Sequence, residues 1–229
     1  MGVALSSHRV TSIVEIVGPA GSGKSTLAAA LANRPAVRTV SSISRAEPRA
    51  RQLLAALRAM PAVMHLVGPR TTRRQIAWIG RLVALDALVR RTRDDVLVLD
   101  QGPLYTLSRV LAARPDLADD RWLTGRIERW AERLDAVVVL DAPDDDLVAR
   151  IRSRGKDHVV KAVPDDIALA SVRAQRAELD AVVAAASVVG LRVVCLRTDH
   201  ASADQLAVEL MTTVLADIAA TADHAMKPS

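Results

Sequence analysis

Residues Gly18 to Ser25 read Gly-Pro-Ala-Gly-Ser-Gly-Lys-Ser, a complete match to the pattern G-x-x-x-x-G-K-[ST]. The apolar run Ile-Val-Glu-Ile-Val at 13–17 precedes this stretch, and a run rich in Leu and Ala that favours a helix follows it. A strand, a glycine-rich loop and a helix in this order are the context in which the motif binds nucleoside triphosphates. The sequence therefore predicts a phosphate-binding loop at 18–25.

The residue types in the loop indicate what each would do. Glycines let consecutive backbone N–H groups turn toward the α- and β-phosphates, and the positive end of the next helix points at the same concavity. Lys24 is expected to reach the β- and γ-phosphates, and the Ser25 hydroxyl to bind Mg²⁺. The predicted cofactors are ATP and Mg²⁺. The predicted nucleotide contacts are Gly18, Ala20, Gly21, Ser22, Gly23, Lys24, Ser25 and Thr26.

Chain length and composition favour one globular domain over residues 1–229, with its core between about 10 and 220. No linker rich in Pro, Gly or Ser divides the 229 residues. Half of the residues are hydrophobic and a quarter are charged, as in ordinary globular proteins. Aromatic residues make up only 2% and Phe is missing, so Ala, Val, Leu and Ile must form the core.

The net charge of +5 comes almost entirely from arginine. A basic chain can bind nucleic acid, but phosphorylated small molecules explain the charge equally well. Because no basic patch is interleaved with aromatic residues, a nucleic-acid partner is not expected. The expected partner is a small-molecule phosphate acceptor, and a homodimer is left open.

The single cysteine, Cys195, excludes an internal disulfide framework and favours the reducing cytoplasm. Since free cysteines are usually buried, Cys195 is interpreted as a small core residue on a strand. No uninterrupted apolar stretch reaches the length of about 20 residues that spans a bilayer. No signal peptide is evident at the N-terminus. A membrane location is therefore not expected.

Short apolar runs alternate with helical patterns along the chain. The predicted strands are 13–17, 36–40, 96–100, 136–141 and 191–196. The predicted helices include 48–60, 71–93, 103–113, 121–134, 164–187 and 203–220, together with one that begins after Pro143. Alternating strands and helices predict an α/β fold, in which a five-stranded parallel sheet carries helices on both faces. The ligand is then expected beyond the carboxyl ends of the strands.

Asp100 closes the buried run 96–100, about 75 residues after the phosphate loop. A carboxylate at that position could hold Mg²⁺ or accept a proton from an attacking hydroxyl. The alternative is an aspartate that caps the turn at 101–103, and the phosphate loop favours the functional interpretation. Asp141 ends the following strand and is interpreted as a turn former before Pro143.

A basic cluster occupies residues 150–156. Arg150 and Arg154 are four residues apart and are therefore expected on one helix face, where they could stabilise the charge that develops during phosphoryl transfer. Gly155 offers a break from which a lid at about 150–163 could start. The alternative is a solvated helix end whose cations suit the helix dipole.

The order of these motifs resembles the nucleoside and nucleotide kinases of the P-loop class, and most of all the thymidylate kinases. The resemblance covers residues 10 to 220 and rests on Arg45-Ala46-Glu47-Pro48 after the second strand, Asp100-Gln101 after the third, and Arg150-x-Arg152-x-Arg154 after the fourth. It implies a P-loop kinase fold with a small Arg-rich lid, and it implies that Asp100 is the catalytic carboxylate. Lys24, Arg150 and Arg154 would complete the catalytic set, with Ser25 and Asp100 at the metal.

Departures from the family pattern bear on the acceptor. Gln101 stands where those kinases have an arginine that contacts an acceptor phosphate, Ala46 interrupts Arg-Glu-Pro, and there is no Phe to stack on a base. The acceptor is left open among a nucleoside, another nucleotide and a sugar-like alcohol. The candidate acceptor contacts are Arg45, Glu47, Arg70, Arg73 and Tyr105.

Two other classes of phosphate-loop protein are excluded by missing motifs. Asn33 is the only Asn, so the Asn-Lys-x-Asp motif of GTPases cannot be present, and the Leu-Ser-Gly-Gly-Gln signature of transport ATPases is absent. The sequence thus predicts an ATP- and Mg²⁺-dependent phosphotransferase. The alternative is a regulatory ATPase whose nucleotide state switches a partner surface.

Overall fold

A computed structural model describes residues 12–40, 57, 73–92, 96–155 and 158–215. Five strands form one sheet in which all neighbours are parallel, in the order β2-β3-β1-β4-β5. The strands are β1 Ser12–Val17, β2 Val37–Val40, β3 Val96–Asp100, β4 Ala136–Asp141 and β5 Arg192–Arg197. Each predicted strand is present with its ends shifted by no more than a residue, so the predicted fold class is confirmed.

Helices connect the strands and cover both faces of the sheet. They are α1 Lys24–Ala32, α2 Arg73–Val89, α3 Pro103–Ala113, α4 Arg121–Ala131, α5 Asp144–Ser153, α6 Asp165–Val188 and α7 Ala203–Glu209. Short 3₁₀ turns lie at Pro115–Leu117 and Val159–Ala162. The predicted helix at 48–60 lies outside the described residues except for Leu57, which is helical. None of the described helices is both long and apolar enough to cross a membrane.

The last predicted helix differs from the observed one. It is an α-helix only through Glu209, and a π-helical segment at Leu210–Leu215 follows. Its start is fixed locally, because the Ser202 side chain accepts from Gln205 N while the Gln205 side chain accepts from Ser202 N. This reciprocal pair is a capping box, which satisfies two donors that the first turn would leave unpaired.

Two apolar layers enclose the sheet. Alternate residues of β1 point to opposite faces, so that Val14 and Ile16 pack toward α1 and α7 while Ile13 and Val17 pack toward the other face. That second face is covered by α2, α3, α4 and α6. Because the central strands are covered on both sides, they read as continuous apolar runs rather than as alternating ones.

Cys195 corrects one expectation. It lies on β5 as predicted, but its side chain is exposed rather than in the core. β5 is the edge strand of the described sheet, and its next residue, Leu196, is the one that packs into the layer containing Leu206. An edge strand receives less cover than the central strands, so the opposite face at Cys195 stays open.

Replacement of Leu97 by alanine tests the central packing. Leu97 is fully buried in β3, so Leu97→Ala should leave a cavity and lower the free energy of unfolding by about 2–5 kcal/mol. Urea unfolding followed by circular dichroism measures this change. Val188→Ala is the control, because Val188 is 87% exposed and its truncation should change stability by less than about 0.5 kcal/mol. Equal effects of the two substitutions would contradict the burial of Leu97 in the core.

Candidate functional site

The loop between β1 and α1 approaches its neighbours so closely that two of its glycines admit no side chain. A Cβ on Gly18 would lie 2.3 Å from the carbonyl oxygen of Leu140, and a Cβ on Gly21 would lie 2.6 Å from that of Leu147. Both glycines also have positive φ, 149° and 86°. The loop is thereby pressed against the ends of β4 and α5, with its backbone curved around Lys24.

Lys24 is the buried cation at the centre of this loop. Its Nζ donates hydrogen bonds to the carbonyl oxygens of Gly18 at 2.8 Å and Pro19 at 2.7 Å. Burial lowers the pKa of Lys24 to about 8, an effect that the negative charge of Asp100 opposes and the positive charge of Arg154 reinforces. The Lys24 ammonium therefore lies near both residues predicted to act on the phosphates.

Ser25 and Asp100, 75 residues apart in the chain, meet at the end of the sheet. Ser25 Oγ donates to Asp100 Oδ2 at 3.0 Å, and Asp100 is only 3% exposed. The parallel register pairs Ile16 with Asp100, which aligns the start of the loop with the end of β3. The sequence prediction that these two side chains share a site is consistent with this contact.

Hydroxyl and carboxylate oxygens are ligands that suit Mg²⁺. In the described parts of the chain, no group of three or more His, Cys, Asp or Glu side chains could hold a metal ion by itself. Mg²⁺ commonly binds through one or two protein oxygens and takes its other ligands from substrate phosphates and water. The Ser25–Asp100 pair fits that mode of binding.

Glu15 is a functional candidate to which the sequence analysis gave no role. It is fully buried in β1, and its carboxyl oxygens accept hydrogen bonds from the backbone N–H groups of Leu104 and Tyr105, both at 2.9 Å. Gly102 lies against it, since a Cβ there would be 2.9 Å from Glu15 Cδ. Glu15 thus caps the first turn of α3 from a neighbouring strand. The signal in the sequence was a single charge within an apolar run.

Arg81 of α2 holds the same turn from its other side, and the sequence analysis also missed it. Its Nη2 donates to the carbonyl oxygen of Gln101 at 2.5 Å. Gln101 has a φ of 59°, in the left-handed region that costs energy for a residue with a side chain. Glu15 and Arg81 therefore fix the chain just after Asp100. No local pattern in α2 distinguishes Arg81 from other helical arginines.

Burial shifts the pKa values of both Glu15 and Arg81. The pKa of Glu15 rises from 4.5 to about 8 because burial disfavours the carboxylate, although the N–H groups of Tyr105 and Leu104 and the charge of Arg81 oppose the rise. Burial also lowers the pKa of Arg81, against the attraction of Glu15. A fully buried carboxyl and a partly buried guanidinium therefore contact the strained turn next to Asp100.

A cavity of about 1120 Å³ runs along the phosphate loop and extends beyond it in two directions. At one end, Arg150 and Thr198 line the wall together with Ala201 and Leu206. At the other end, side chains of α3 and α6 line the wall; they are Tyr105, Arg109, Gln175 and Glu178. Because β3 and β5 lie on opposite sides of β1 in the sheet, the phosphate loop lies between Tyr105, which follows β3, and Thr198, which follows β5. A nucleotide and a second molecule could therefore lie on opposite sides of the loop.

The structure separates the two predicted lid arginines. Arg150 donates from Nη1 to Thr198 Oγ1 at 2.8 Å and from Nη2 to the Thr198 carbonyl oxygen at 2.9 Å. Arg154 follows the end of α5 in an extended conformation, so the expectation that both lie on one helix face is wrong. The helix ends at Ser153, before Arg154.

Arg154 lines the cavity together with the phosphate loop, and its charge lowers the pKa of Lys24. Its Nε is buried and has no hydrogen-bond partner among the residues that the structure describes. The segment after it is tied down by Lys161, whose Nζ donates to the Arg154 carbonyl oxygen, and by Arg152, whose Nη2 donates to that of Val163 at 3.0 Å. A guanidinium with a spare donor thus lies beside the loop.

The remaining predicted contacts fall into two groups. Tyr105 lines the cavity, and the centroid of its ring is 5.9 Å from Lys24 Nζ. Arg45, Glu47 and Arg70 lie outside the described residues, and Arg73 begins α2 with a side chain that is not described. The three tryptophans, which are the other side chains large and flat enough to stack on a base, pack in or against the apolar core; they are Trp78, Trp122 and Trp130.

Comparison with known proteins identifies one family and several structures with the same fold. The family described as AAA domain matches residues 13–182. A shikimate kinase from Acinetobacter baumannii in complex with shikimate is 16% identical, with a TM-score of 0.51, over 91% of this chain and 96% of that one. A deoxyadenosine kinase from M. mycoides with bound dATP is 13% identical, with a TM-score of 0.52, over 89% and 98% of the two chains. No curated protein matches the sequence. At these identities the likeness shows a shared fold, that of the P-loop kinases.

The raised pKa of Glu15 predicts how stability depends on pH. Between pH 4.5 and about 8 the folded state holds a proton on Glu15 that the unfolded state has lost, so stability falls as pH rises through this range. The amide in the variant Glu15→Gln does not titrate. The unfolding free energy of wild type relative to that of Glu15→Gln should therefore fall steadily as pH increases.

Urea unfolding of both proteins at several pH values across that range measures the difference. Glu209→Gln serves as the matched control, because Glu209 is exposed at the end of α7 and its replacement should give a difference that stays nearly constant. A pH-independent difference for Glu15→Gln would show that the buried carboxyl does not keep its proton.

Proposed function

This chain belongs to the AAA domain family, and from that premise we propose that it is an ATP- and Mg²⁺-dependent phosphotransferase that transfers the γ-phosphate to a small-molecule acceptor. One observation carries the proposal: the cavity lined by Ser25 and other residues of the phosphate loop is also lined by Thr198, which follows β5, and by Tyr105, which follows β3 on the other side of β1. A protein that only binds or hydrolyses ATP needs the nucleotide side alone. A kinase needs a second compartment that holds an acceptor next to the γ-phosphate.

Binding of the triphosphate is the task of the loop. Its backbone N–H groups and the N-terminus of α1 would face the phosphates, as in other helix-terminal anion sites. The Lys24 ammonium, now held by the carbonyl oxygens of Gly18 and Pro19, is close enough to exchange those partners for phosphate oxygens. Mg²⁺ bound at Ser25 and Asp100 would neutralise charge on the β- and γ-phosphate oxygens.

The two arginines have different roles in this proposal. Arg154 lies beside Lys24 with a buried Nε available, so it would stabilise the charge of the transferring phosphoryl group. Arg150 is held by Thr198 at the far end of the cavity, so it would contact the nucleoside part of ATP. The contacts of Arg150 thus refine the sequence analysis, which gave both arginines to the phosphates.

We propose that Asp100 accepts the proton from the group of the acceptor molecule that attacks the γ-phosphate, for example a hydroxyl. Asp100 ends β3, which pairs with the strand that leads into the loop, and the turn that follows it is contacted by Glu15 and Arg81. A carboxylate in a rigid surround keeps its position without a reorganisation cost during the reaction. The adjoining Gln101 and Tyr105 line the side of the cavity where an acceptor would bind.

Replacement of Asp100 by asparagine tests its chemical role. Asp100→Asn should lower the rate of phosphate transfer by about 100-fold or more, because the amide accepts no proton and binds Mg²⁺ poorly. ATP binding should change much less. Transfer from labelled ATP to a panel of acceptors measures the rate, and calorimetry measures binding. Asp116→Asn, at an exposed ion pair away from the cavity, is the control. ATP hydrolysis that no acceptor accelerates would favour the regulatory ATPase instead.

Protonation of Lys24 should govern how nucleotide affinity depends on pH. The lysine must be charged to bind phosphate, and its pKa in the free protein is lowered to about 8. Bound phosphate raises that pKa again, so affinity for Mg²⁺·ATP should fall as pH rises above about 8, and binding there should take up a proton.

Calorimetric titrations in two buffers of different ionisation enthalpy measure the proton uptake. Lys24→Arg keeps its charge throughout this pH range and should bind without the uptake. If wild type and Lys24→Arg took up the same number of protons, the titrating group would be one other than Lys24.

A further inference from the structure

The side of the cavity opposite Arg150 contains charges that the transfer step itself does not use. We call this side the acceptor lobe and define it by the residues Gln101, Tyr105, Arg109, His158, Gln175 and Glu178. Tyr105 and Arg109 are one turn apart on α3 and face the same way, and Gln175 and Glu178 are similarly spaced on α6. Gln175 also reaches the phosphate loop, where its Oε1 accepts from Ala20 N at 3.4 Å.

An ion pair crosses this lobe. Arg109 Nη1 donates to Glu178 Oε2 at 3.1 Å, and the two side chains are 25% and 29% exposed, respectively. The Arg109 guanidinium lies 6.0 Å from the ring centroid of Trp78, which supports it from the core side. Ion pairs of this exposure contribute little to stability. We therefore interpret the Arg109–Glu178 pair in this concave site as a contact for a bound ligand rather than as a source of stability.

The charges of the described lobe residues nearly cancel. Glu178 neutralises Arg109, while Lys24 and Arg154 face the loop and are needed for the triphosphate. His158 adds no charge at neutral pH, because burial and the neighbouring Arg154 and Arg109 lower the pKa of its imidazole. The carboxylate of Glu178 is left next to the place where the acceptor would bind.

We propose that the acceptor is an uncharged molecule with neighbouring hydroxyl groups, such as a nucleoside or a polyol, and not a phosphomonoester. This inference rests on the proposed phosphotransferase activity. Within the described part of the chain, the ion pair leaves Glu178 Oε1 and further N–H groups of Arg109 for a ligand. An acceptor and a donor side by side match two adjacent hydroxyls. A phosphate dianion there would meet no net positive charge, because Glu178 neutralises Arg109, and it would lie against the Glu178 carboxylate.

The transfer step follows from this assignment. The acceptor hydroxyl loses its proton to Asp100 as its oxygen forms a bond to the γ-phosphorus. The bond from that phosphorus to the oxygen bridging the β- and γ-phosphates breaks, and the electron pair leaves with ADP. The products are ADP and a phosphate monoester of the acceptor. The product is anionic where the substrate was neutral, so the Glu178 carboxylate also favours its release.

Labelled transfer from an unbiased mixture tests the charge of the acceptor. A protein-free cell extract is divided by anion exchange into a neutral and an anionic fraction, and each is incubated with the full chain, Mg²⁺ and ATP labelled at the γ-phosphate. Adenosine and AMP are run beside them as a matched pair of pure probes, because both carry two adjacent ribose hydroxyls and differ only in the phosphate. Label should enter products of the neutral fraction at least about tenfold faster than products of the anionic fraction.

Faster transfer to the anionic fraction would overturn this inference and leave the phosphotransferase proposal intact. Transfer to neither fraction would contradict the phosphotransferase proposal itself, and this inference with it. The two failures are therefore distinguishable in one experiment.

Substitutions of Glu178 and Arg109, whose side chains carry opposite charges, give a second readout. Glu178→Gln removes the repulsion and leaves Arg109 as an unpaired cation, so the preference for neutral acceptors should fall by about tenfold or more. Arg109→Gln leaves the carboxylate unpaired and should increase that preference. Asp116→Asn breaks an exposed ion pair with Arg114 and should leave it unchanged.

Affinity for Mg²⁺·ADP and the far-ultraviolet circular dichroism spectrum report whether each variant is folded. Both should match wild type, because the ion pair lies on the other side of the loop from Arg150. Shifts of the two variants in the same direction, or no shift in either, would show that the Arg109–Glu178 charges do not select the acceptor.

Discussion

β1 pairs in parallel with β3 on one side and with β4 on the other, and the remaining features of the site depend on this double pairing. It brings the carboxyl ends of three strands to one edge of the sheet. The loop that leaves β1 there passes so close to β4 that only glycine fits at Gly18. The same pairing places Asp100 at the end of β3 within reach of Ser25. A shift of register would separate the hydroxyl from the carboxylate.

Around this edge the protein buries ionisable side chains at a cost in stability. Glu15 is fully buried, Lys24 is nearly so, and both lose hydration that their hydrogen bonds only partly replace. Glu15 and Arg81 also contact the turn after Asp100, in which the backbone of Gln101 is strained. Buried ionisable groups and strained turns are tolerated where many surrounding contacts fix them, and they are common at sites whose side chains must keep fixed positions. Their concentration next to Asp100 supports a chemical role for this residue.

Arginine serves several separate purposes along the cavity. Arg150 donates two hydrogen bonds to Thr198, and Arg109 forms an ion pair with Glu178. Arg154 has a buried Nε donor beside the loop. A planar guanidinium with five donors suits each of these fixed contacts. In the proposed function, Lys24 exchanges carbonyl partners for phosphate oxygens, for which a compact ammonium is better suited. These contacts support the proposed division of the cavity into nucleoside, phosphate and acceptor regions.

Local pattern in the sequence determined the phosphate loop, the five strands and the place of Asp100. Glycine spacing, buried apolar runs and a strand-ending carboxylate are each readable over a few residues. Tertiary structure alone decided the strand order, the support of Asp100 by Glu15 and Arg81, and the pairing of Arg109 with Glu178. These contacts join residues about 20 to 90 positions apart through helix packing. A sequence pattern records which side chains are apolar or charged, but not which of them the packing of distant elements will bring together.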